Sequence, residues 1–431
     1  MRKKGIFLII FSLAATCGLF ILAKTNPAII IQKPVLSISQ ISSLLGMIFF
    51  CYAFFLSGRF SFLENIFGSL DKVYKLHQIT GRLSFILIIS HFIFLIFNYL
   101  GNSVMLKLLL LPGQNLSYNL GILGLWSMCL VLSSILYSSL EYQWFMRIQR
   151  SFIIPFTFGV WHMLVIPSDI SRYMPLAIFL LLHVAVAYVS WIYRVILYPF
   201  FGPRFEYKVE SFQVFPNDVI VLSLTTEGKK MPFLPGQFAY VKFESLGIKK
   251  EFHPFSIASS PLDDKLRLAI RAFGDFTTQV KTIKIGEKAT LMGPYGKFSE
   301  RFFDRKDSVC IAGGIGITPF LGMINYFKDS KLKEVKNVHL FYSVRNETDN
   351  VFRQELEEIS VNVQQNLSLN IIHTEKDGRL DAGFIQNALG ELKEKLYFLC
   401  GPKIMMEDIA SQLKKLRIPA RNIIYEDFSF Q

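Results

Sequence analysis

Charge is scarce in this chain, and so is cysteine. Only 18% of the 431 residues are charged while 52% are hydrophobic and 42 are Phe, a balance that excludes a single water-soluble globule of this length. The five cysteines, Cys17, Cys51, Cys129, Cys310 and Cys400, show no CxxC or other metal spacing, which argues against a disulfide framework or an iron–sulfur cluster. No clear small-x-small cleavage site follows the basic start and apolar run of residues 1–23, so this segment reads as a retained helix rather than a removed signal peptide. The net charge of +13 is scattered rather than gathered into a patch, and nucleic acid is excluded as a partner.

What is present divides the chain near residue 200. Before it, six stretches approach the roughly 20 apolar residues that a bilayer helix needs: 5–23, 38–57, 79–99, 119–139, 152–168 and 174–197. Arg2, Lys3, Lys4, Arg59, Lys72, Lys75, Arg82, Arg147, Arg150, Arg194 and Arg204 fall on one side of these spans, against Lys24, Lys33, Lys107 and Arg172 on the other. Lys and Arg are retained on the cytoplasmic side, so both termini and everything after the helices are expected in the cytoplasm, below a plasma or inner membrane. The expected architecture is a six-helix membrane bundle over 1–198, a small antiparallel β-barrel over 199–303, and a doubly wound α/β nucleotide-binding domain over 304–431.

Two histidines stand out in the membrane half. His77 and His91 are fourteen positions apart (91 − 77), about 21 Å of helical rise and close to four turns, so both leave nearly the same face. An ionisable side chain inside a bilayer helix is costly enough to be a functional candidate, and a neutral imidazole is a good axial ligand for haem iron. His162 and His183 are the candidate partners on other helices; His183 reads as an interhelical packing group rather than a ligand.

The segment Tyr74-Lys75-Leu76-His77-Gln78-Ile79-Thr80-Gly81-Arg82, followed by His91, resembles the third helix of the ferric reductase and NADPH oxidase superfamily. That family carries a second histidine pair, thirteen residues apart, on its fifth helix. His162 fits the outer member, but thirteen residues earlier stands Gln149 instead of histidine. The resemblance therefore implies one b-type haem between His91 and His162. For the inner position three readings stay open: no haem, with the flavin itself reaching toward the outer one; a haem held by His77 alone or with an unusual partner; or a shifted register of the fifth helix.

After residue 204, runs such as Asp218–Leu224 and Gln237–Phe243 read as short strands of an antiparallel barrel. Within it, Phe252-His253-Pro254-Phe255-Ser256-Ile257-Ala258-Ser259-Ser260-Pro261 resembles the flavin-binding segment of ferredoxin-reductase-like proteins. The resemblance implies FAD, with His253, Pro254, Phe255 and Ser256 at the isoalloxazine and the Ser256 hydroxyl near the reactive ring nitrogen. Arg271, Gly274, Thr277 and Thr278 form a strand-turn-helix that offers a guanidinium fork and amide groups to the flavin pyrophosphate.

Ser308–Ala312 reads as a buried strand running into Gly313-Gly314-Ile315-Gly316-Ile317-Thr318-Pro319, where glycines let the backbone approach a pyrophosphate at a helix start. This run is close to the nicotinamide-domain pattern of the same superfamily, in which Gly313, Gly314, Gly316, Thr318 and Pro319 hold the nucleotide. Arg345 ends the next strand, where a cation accepts the 2′-phosphate of NADPH. Cys400-Gly401-Pro402 resembles the segment beside the nicotinamide, with Cys400 near the hydride path, and Tyr425–Phe430 resembles the terminus whose aromatic ring, here Phe428 in preference to Phe430, covers the flavin. Ser256, Cys400 and Phe428 are thus the expected catalytic residues.

The resemblance implies transmembrane electron transfer from NADPH through FAD and haem to an external small molecule, oxygen or chelated ferric iron. Two other readings remain: donation to a protein partner outside, and a flavin reductase for which the helices are only an anchor.

Overall fold

The computed structural model of the protein describes residues 3–137, 142–215, 217–334, 336–363 and 366–425. It divides into two compact units, 1–68 with 72–202 and 69–71 with 203–431.

The first unit is helical. Its principal helices are α1 (Lys3–Leu22), α2 (Pro34–Ser57), α3 (Leu70–Asn98), α4 (Leu116–Tyr137), α5 (Tyr142–Arg150), α6 (Ile153–Val165) and α7 (Met174–Ile192). Among the described residues, five helices are long and apolar enough to cross a membrane, over 4–22, 34–57, 70–98, 116–136 and 174–201. Their outward faces carry Phe7, Ile10, Leu22, Ile86, Phe97, Trp126, Leu130, Leu182 and Val189, all well exposed. So continuous an apolar surface is stable only against lipid, and helices satisfy their own backbone groups there. The expected fifth span is the 13-residue α6, about 20 Å long, short of the ~30 Å hydrocarbon core. Its N-terminal end meets α5 at a turn through Ser151 and Phe152, and Pro167 lies just past its other end.

Close helix contacts are built on small residues. A side-chain carbon at Gly46 of α2 would stand 3.0 Å from Ile88 of α3, and one at Gly124 of α4 only 3.4 Å from Phe158 of α6. Beyond α1, Lys24 is buried in an ion pair with Asp169, donates to Gln40 Oε1 at 2.7 Å and lies over the Phe20 ring at 4.4 Å. His183 donates within its own helix to Phe179 and meets the Ser12 hydroxyl at 3.2 Å, and Ser12 meets Tyr52 at 2.8 Å. His183 is thus part of a network that links α1, α2 and α7.

The second unit begins with a six-stranded antiparallel sheet: β1 (Arg204–Val214), β2 (Val219–Thr226), β3 (Phe238–Phe243), β4 (His253–Ser256), β5 (Leu266–Arg271) and β6 (Lys288–Tyr295), ordered β4-β3-β6-β1-β2-β5. An isolated bridge between Ile257 and Leu268 nearly closes it into a barrel. Alternating residues Ile220, Leu222 and Leu224 of β2 fill the interior with Val241, Phe243, Leu268, Ile270 and Leu291. Pro254 is tolerated because β4 is an edge strand, where no ladder N–H is needed.

A five-stranded parallel sheet follows: β7 (Ser308–Gly313), β8 (Val338–Val344), β9 (Leu367–His373), β10 (Leu396–Cys400) and β11 (Ile423–Tyr425), ordered β11-β10-β7-β8-β9. In β7, Cys310 and Ala312 pack with helices of one face while Val309 and Ile311 pack with those of the other. Burial on both faces is why this strand reads as a continuous apolar run. The chain goes one way from β7 to β8 and β9, then returns to β10 on the other side. That reversal opens a crevice at the carboxyl ends of β7 and β10, the usual ligand position in such sheets.

Candidate functional site

In the membrane unit, α3 carries His77 and His91, and α6 carries His162. The Nδ1 of His91 donates to the Ser39 carbonyl at 3.0 Å, and the Ser39 hydroxyl donates back to the His91 carbonyl at 2.9 Å. The Nδ1 of His162 donates to the Ser117 carbonyl at 2.7 Å, and that of His77 to the Ala53 carbonyl at 2.8 Å. A carbonyl can only accept, so each neutral imidazole is held as the tautomer whose Nε2 bears the lone pair. This is how haem- and metal-ligating histidines are oriented by a second layer of contacts. Gly121 of α4 makes room for His162, since a side-chain carbon there would lie 3.0 Å from its Nδ1. His91 and His162 are the residues that could hold a haem, each offering one imidazole nitrogen. Among the described residues no group of three or more His, Cys, Asp or Glu forms a bare metal site.

The inner position is different. Gln149 of α5 donates its side-chain N–H to His77 Nε2 across 3.3 Å. The conjugated amide nitrogen has no lone pair for a metal, and two metal–nitrogen bonds of about 2 Å need roughly 4 Å between donors. The residues at this position do not fit a second bis-imidazole haem.

In the second unit, β4 pairs with β3, setting Pro254 beside Tyr240 and Ser256 beside Phe238. His253, Pro254, Phe255 and Ser256 are all half-buried. His253 stacks on Phe276 at 3.8 Å and 22°, and its Nε2 lies 3.2 Å from Glu251. Burial lowers the His253 pKa, partly opposed by Glu251, so the ring favours its neutral form.

The turn after β5 is held by its own side chain. The following helix, α8 (Asp275–Gln279), has only five residues. The Thr277 hydroxyl accepts from Phe273 N at 3.0 Å and Gly274 N at 2.9 Å, so it secures the turn; Thr278 is exposed. Arg271 lines a cavity of about 790 Å³ together with Gly313, Gly314, Tyr342, Arg345 and Pro402. The structure therefore gathers Arg271 with the nucleotide residues, at the mouth shared by the barrel and the parallel sheet.

The glycine run forms the floor of that crevice. Gly313 ends β7, Gly314 turns with φ +54°, and α9 (Thr318–Asp329) starts at Thr318 with Pro319 in its first turn. Gly316 has no room for a side chain, since a carbon there would stand 2.4 Å from the Cys400 carbonyl oxygen. That contact brings the two motifs together. Cys400 is buried at the end of β10, with Gly401 and Pro402 leading into α12 (Lys403–Lys415) after the intervening α10 (Arg353–Val363) and α11 (Ala382–Leu389). Cys310 is an inert core thiol, pushed up to about 12 by burial. Phe428 and Phe430 lie outside the described residues.

Sequence reasoning missed Glu375 and Arg379. Arg345 pairs with Glu375 at 2.7 Å, Asn346 meets the same carboxylate at 3.4 Å, and Arg379 lines the cavity. They follow β9, which neighbours β8; strand order was the signal that would have placed them beside Arg345.

Residues 42–160 match the ferric reductase like transmembrane component family, residues 204–313 an FAD-binding domain and residues 310–411 an oxidoreductase NAD-binding domain. Flavohemoprotein A of Dictyostelium discoideum is 24% identical over 213 residues, 46% of this chain and 52% of that protein, so the chain spans about half the length of that relative. Dual oxidase 2 of Rattus norvegicus is 33% identical over 138 residues, 30% of this chain and 9% of that protein. The solved flavohemoglobin of Malassezia yamatoensis, which contains FAD and haem, superposes with TM-score 0.52 at 18% identity, covering 94% of this chain and 99% of that one, a likeness of fold alone. The chain is a multi-pass membrane protein with an FAD- and NAD-binding oxidoreductase module. Its membrane segment is similar to the ferric reductase like transmembrane component, and its second half to FAD- and NAD-binding oxidoreductase domains.

Proposed function

We propose that this chain carries electrons from cytoplasmic NADPH, through FAD and one b-type haem, across its membrane to oxygen on the far side, forming superoxide. The observation that carries the reading is the pair His91 and His162, each with Nδ1 committed to a backbone carbonyl and Nε2 kept as the donor nitrogen. When bound, FAD accepts electrons in pairs and releases them singly, and haem iron passes them one at a time. His253, Pro254, Phe255 and Ser256 hold the flavin ring, with the Ser256 hydroxyl supplying a hydrogen bond at its reactive nitrogen. The amides after Gly313 and the start of α9 hold the nucleotide pyrophosphate, and Cys400 borders the nicotinamide. Arg345 and Arg379 favour the 2′-phosphate of NADPH.

Oxygen as the acceptor is supported by the likeness to dual oxidase 2. Reduction of chelated ferric iron is the second reading, favoured by the family match over 42–160. The positive-side distribution of Arg and Lys supports a cytoplasmic reductase module. The test is a reduced-minus-oxidised visible spectrum of the purified chain with haem and flavin counted. One haem per flavin is expected; His91→Ala and His162→Ala should lose it while NADPH still reduces the flavin. An unchanged haem spectrum in both variants sinks the assignment, and superoxide yield against ferric-chelate reduction decides the acceptor.

A further inference from the structure

The barrel and the nucleotide-binding sheet meet where flavin and nicotinamide must lie face to face. Arg267 of β5 reaches across this junction to Glu355, in the first turn of α10. The contact is a fork: Nη1 to Oε2 at 3.0 Å and Nη2 to Oε1 at 2.6 Å. Both side chains are about three-quarters enclosed, with 24% and 28% exposure. A bidentate guanidinium–carboxylate pair fixes orientation as well as distance.

The same arginine is tied to the segment that follows the flavin strand. Its Nη2 donates to the Ala258 carbonyl at 3.3 Å, its backbone N–H to the Ser259 hydroxyl at 3.0 Å, and its backbone carbonyl accepts from Ala258 N–H at 2.8 Å. Ala258 is two residues after Ser256. On the other side, Asn325 of α9 donates to Glu355 Oε1 at 3.1 Å. One turn earlier in α9, a side-chain carbon at Gly322 would lie 2.7 Å from the Ser259 carbonyl oxygen and 3.0 Å from that of Ile257. The helix that begins at the nucleotide's glycine run therefore rests directly on the chain that leaves the flavin strand.

Maximal stability does not explain the pair. Partly buried ion pairs are weak stabilisers, and the Arg267 Nε is buried with no hydrogen-bond partner in this arrangement. We propose that Arg267 and Glu355, with Asn325, are positioning residues that fix the flavin-bearing strand of the barrel against the nicotinamide domain at the separation hydride transfer requires. The proposal rests on the NADPH-to-FAD reading above. Hydride transfer is steep in distance and angle, and misplacement by about 1 Å costs up to ~100-fold in rate.

The experiment uses the full chain loaded with FAD and follows flavin reduction by NADPH in stopped flow, normalised to bound flavin. Arg267→Lys keeps the charge and loses the fork; Glu355→Gln keeps the shape and loses the charge. Each is expected to lower the saturating reduction rate about tenfold, while the dissociation constant for NADPH changes less than twofold. The exchange Arg267→Glu with Glu355→Arg is expected to run several-fold faster than either Arg267→Glu or Glu355→Arg alone. A purely structural role would lower flavin content or the melting temperature and leave the rate per bound flavin intact; that result, or rates within twofold of wild type, overturns the proposal. A wild-type chain that NADPH does not reduce at all overturns the functional reading itself, a different outcome from fast reduction in every variant.

Discussion

Gln149 donates its side-chain N–H to the Nε2 of His77 across 3.3 Å, so this imidazole has a carboxamide for a partner. His77 is already oriented like a ligand by its hydrogen bond to the Ala53 carbonyl at 2.8 Å. What the position lacks is a second imidazole. Gln149→His is therefore expected to raise haem from one to two per chain, whereas His77→Ala in the wild-type background should leave haem content unchanged. Pyridine haemochrome assay against protein concentration checks both, and a loss of haem on His77→Ala would show that the inner position is occupied after all.

The orientation of His162 depends on a residue that touches no cofactor. A side chain at Gly121 would collide with the imidazole at 3.0 Å and break its 2.7 Å bond to the Ser117 carbonyl. Such orienting contacts are worth about 10- to 100-fold in metal affinity. Gly121→Leu should then be purified with less than half the wild-type haem, with flavin reduction within twofold of normal. Full haem retention would mean that α4 does not set this ring.

Nucleotide choice should turn on Glu375. Its carboxylate neutralises Arg345 at 2.7 Å, and an acid at this place favours a ribose 2′-hydroxyl over a 2′-phosphate. Exposed pairs of this kind contribute about 0.5–1 kcal/mol, a factor of a few in affinity. Glu375→Gln is expected to lower the KM for NADPH about two- to fivefold and leave that for NADH nearly unchanged. Arg345→Ala should raise the NADPH value far more than the NADH value, and equal effects on both nucleotides would remove Arg345 from the 2′-phosphate site.

The two sheets were legible in the sequence because their signals are local: alternation in β2, an unbroken apolar run in β7, and glycines at the strand end. The same holds for His77 and His91, which share one helix and so one periodicity. The pairing of Gln149 with His77 could be suspected from spacing, but the turn at 151–152 that lets α5 present it is a tertiary feature. The part of Thr277 in its own turn was not legible, because the Phe273 and Gly274 amides it accepts from are brought to it only by the folded turn. Glu375, Arg379 and the Arg267–Glu355 fork come from distant segments, and no periodicity within one segment marks them.

Lys336 provides a test of stability against pH. It is buried, donates to the Phe302 carbonyl and to Ser308 Oγ at 2.9 Å, and lies 3.9 Å from the Phe302 ring centre. Burial pulls its pKa down from 10.5 to about 8, with Cys310, Asp304 and Asp307 opposing. Between those two values the unfolded chain holds a proton that the folded chain has released, so stability rises with pH across the window. The neighbouring Cys310, raised from 9.0 to about 12, acts in the opposite sense above pH 9, so the clean interval is pH 7.5 to 9. Over it the lysine should add about 1 kcal/mol, or roughly 2–4 °C in Tm for a unit of this size. In the full chain, followed by release of bound flavin on heating, wild type should gain this increment from pH 7.5 to 9 and Lys336→Met should not. Parallel pH profiles for the two proteins would show that Lys336 keeps an ordinary ammonium in the folded state.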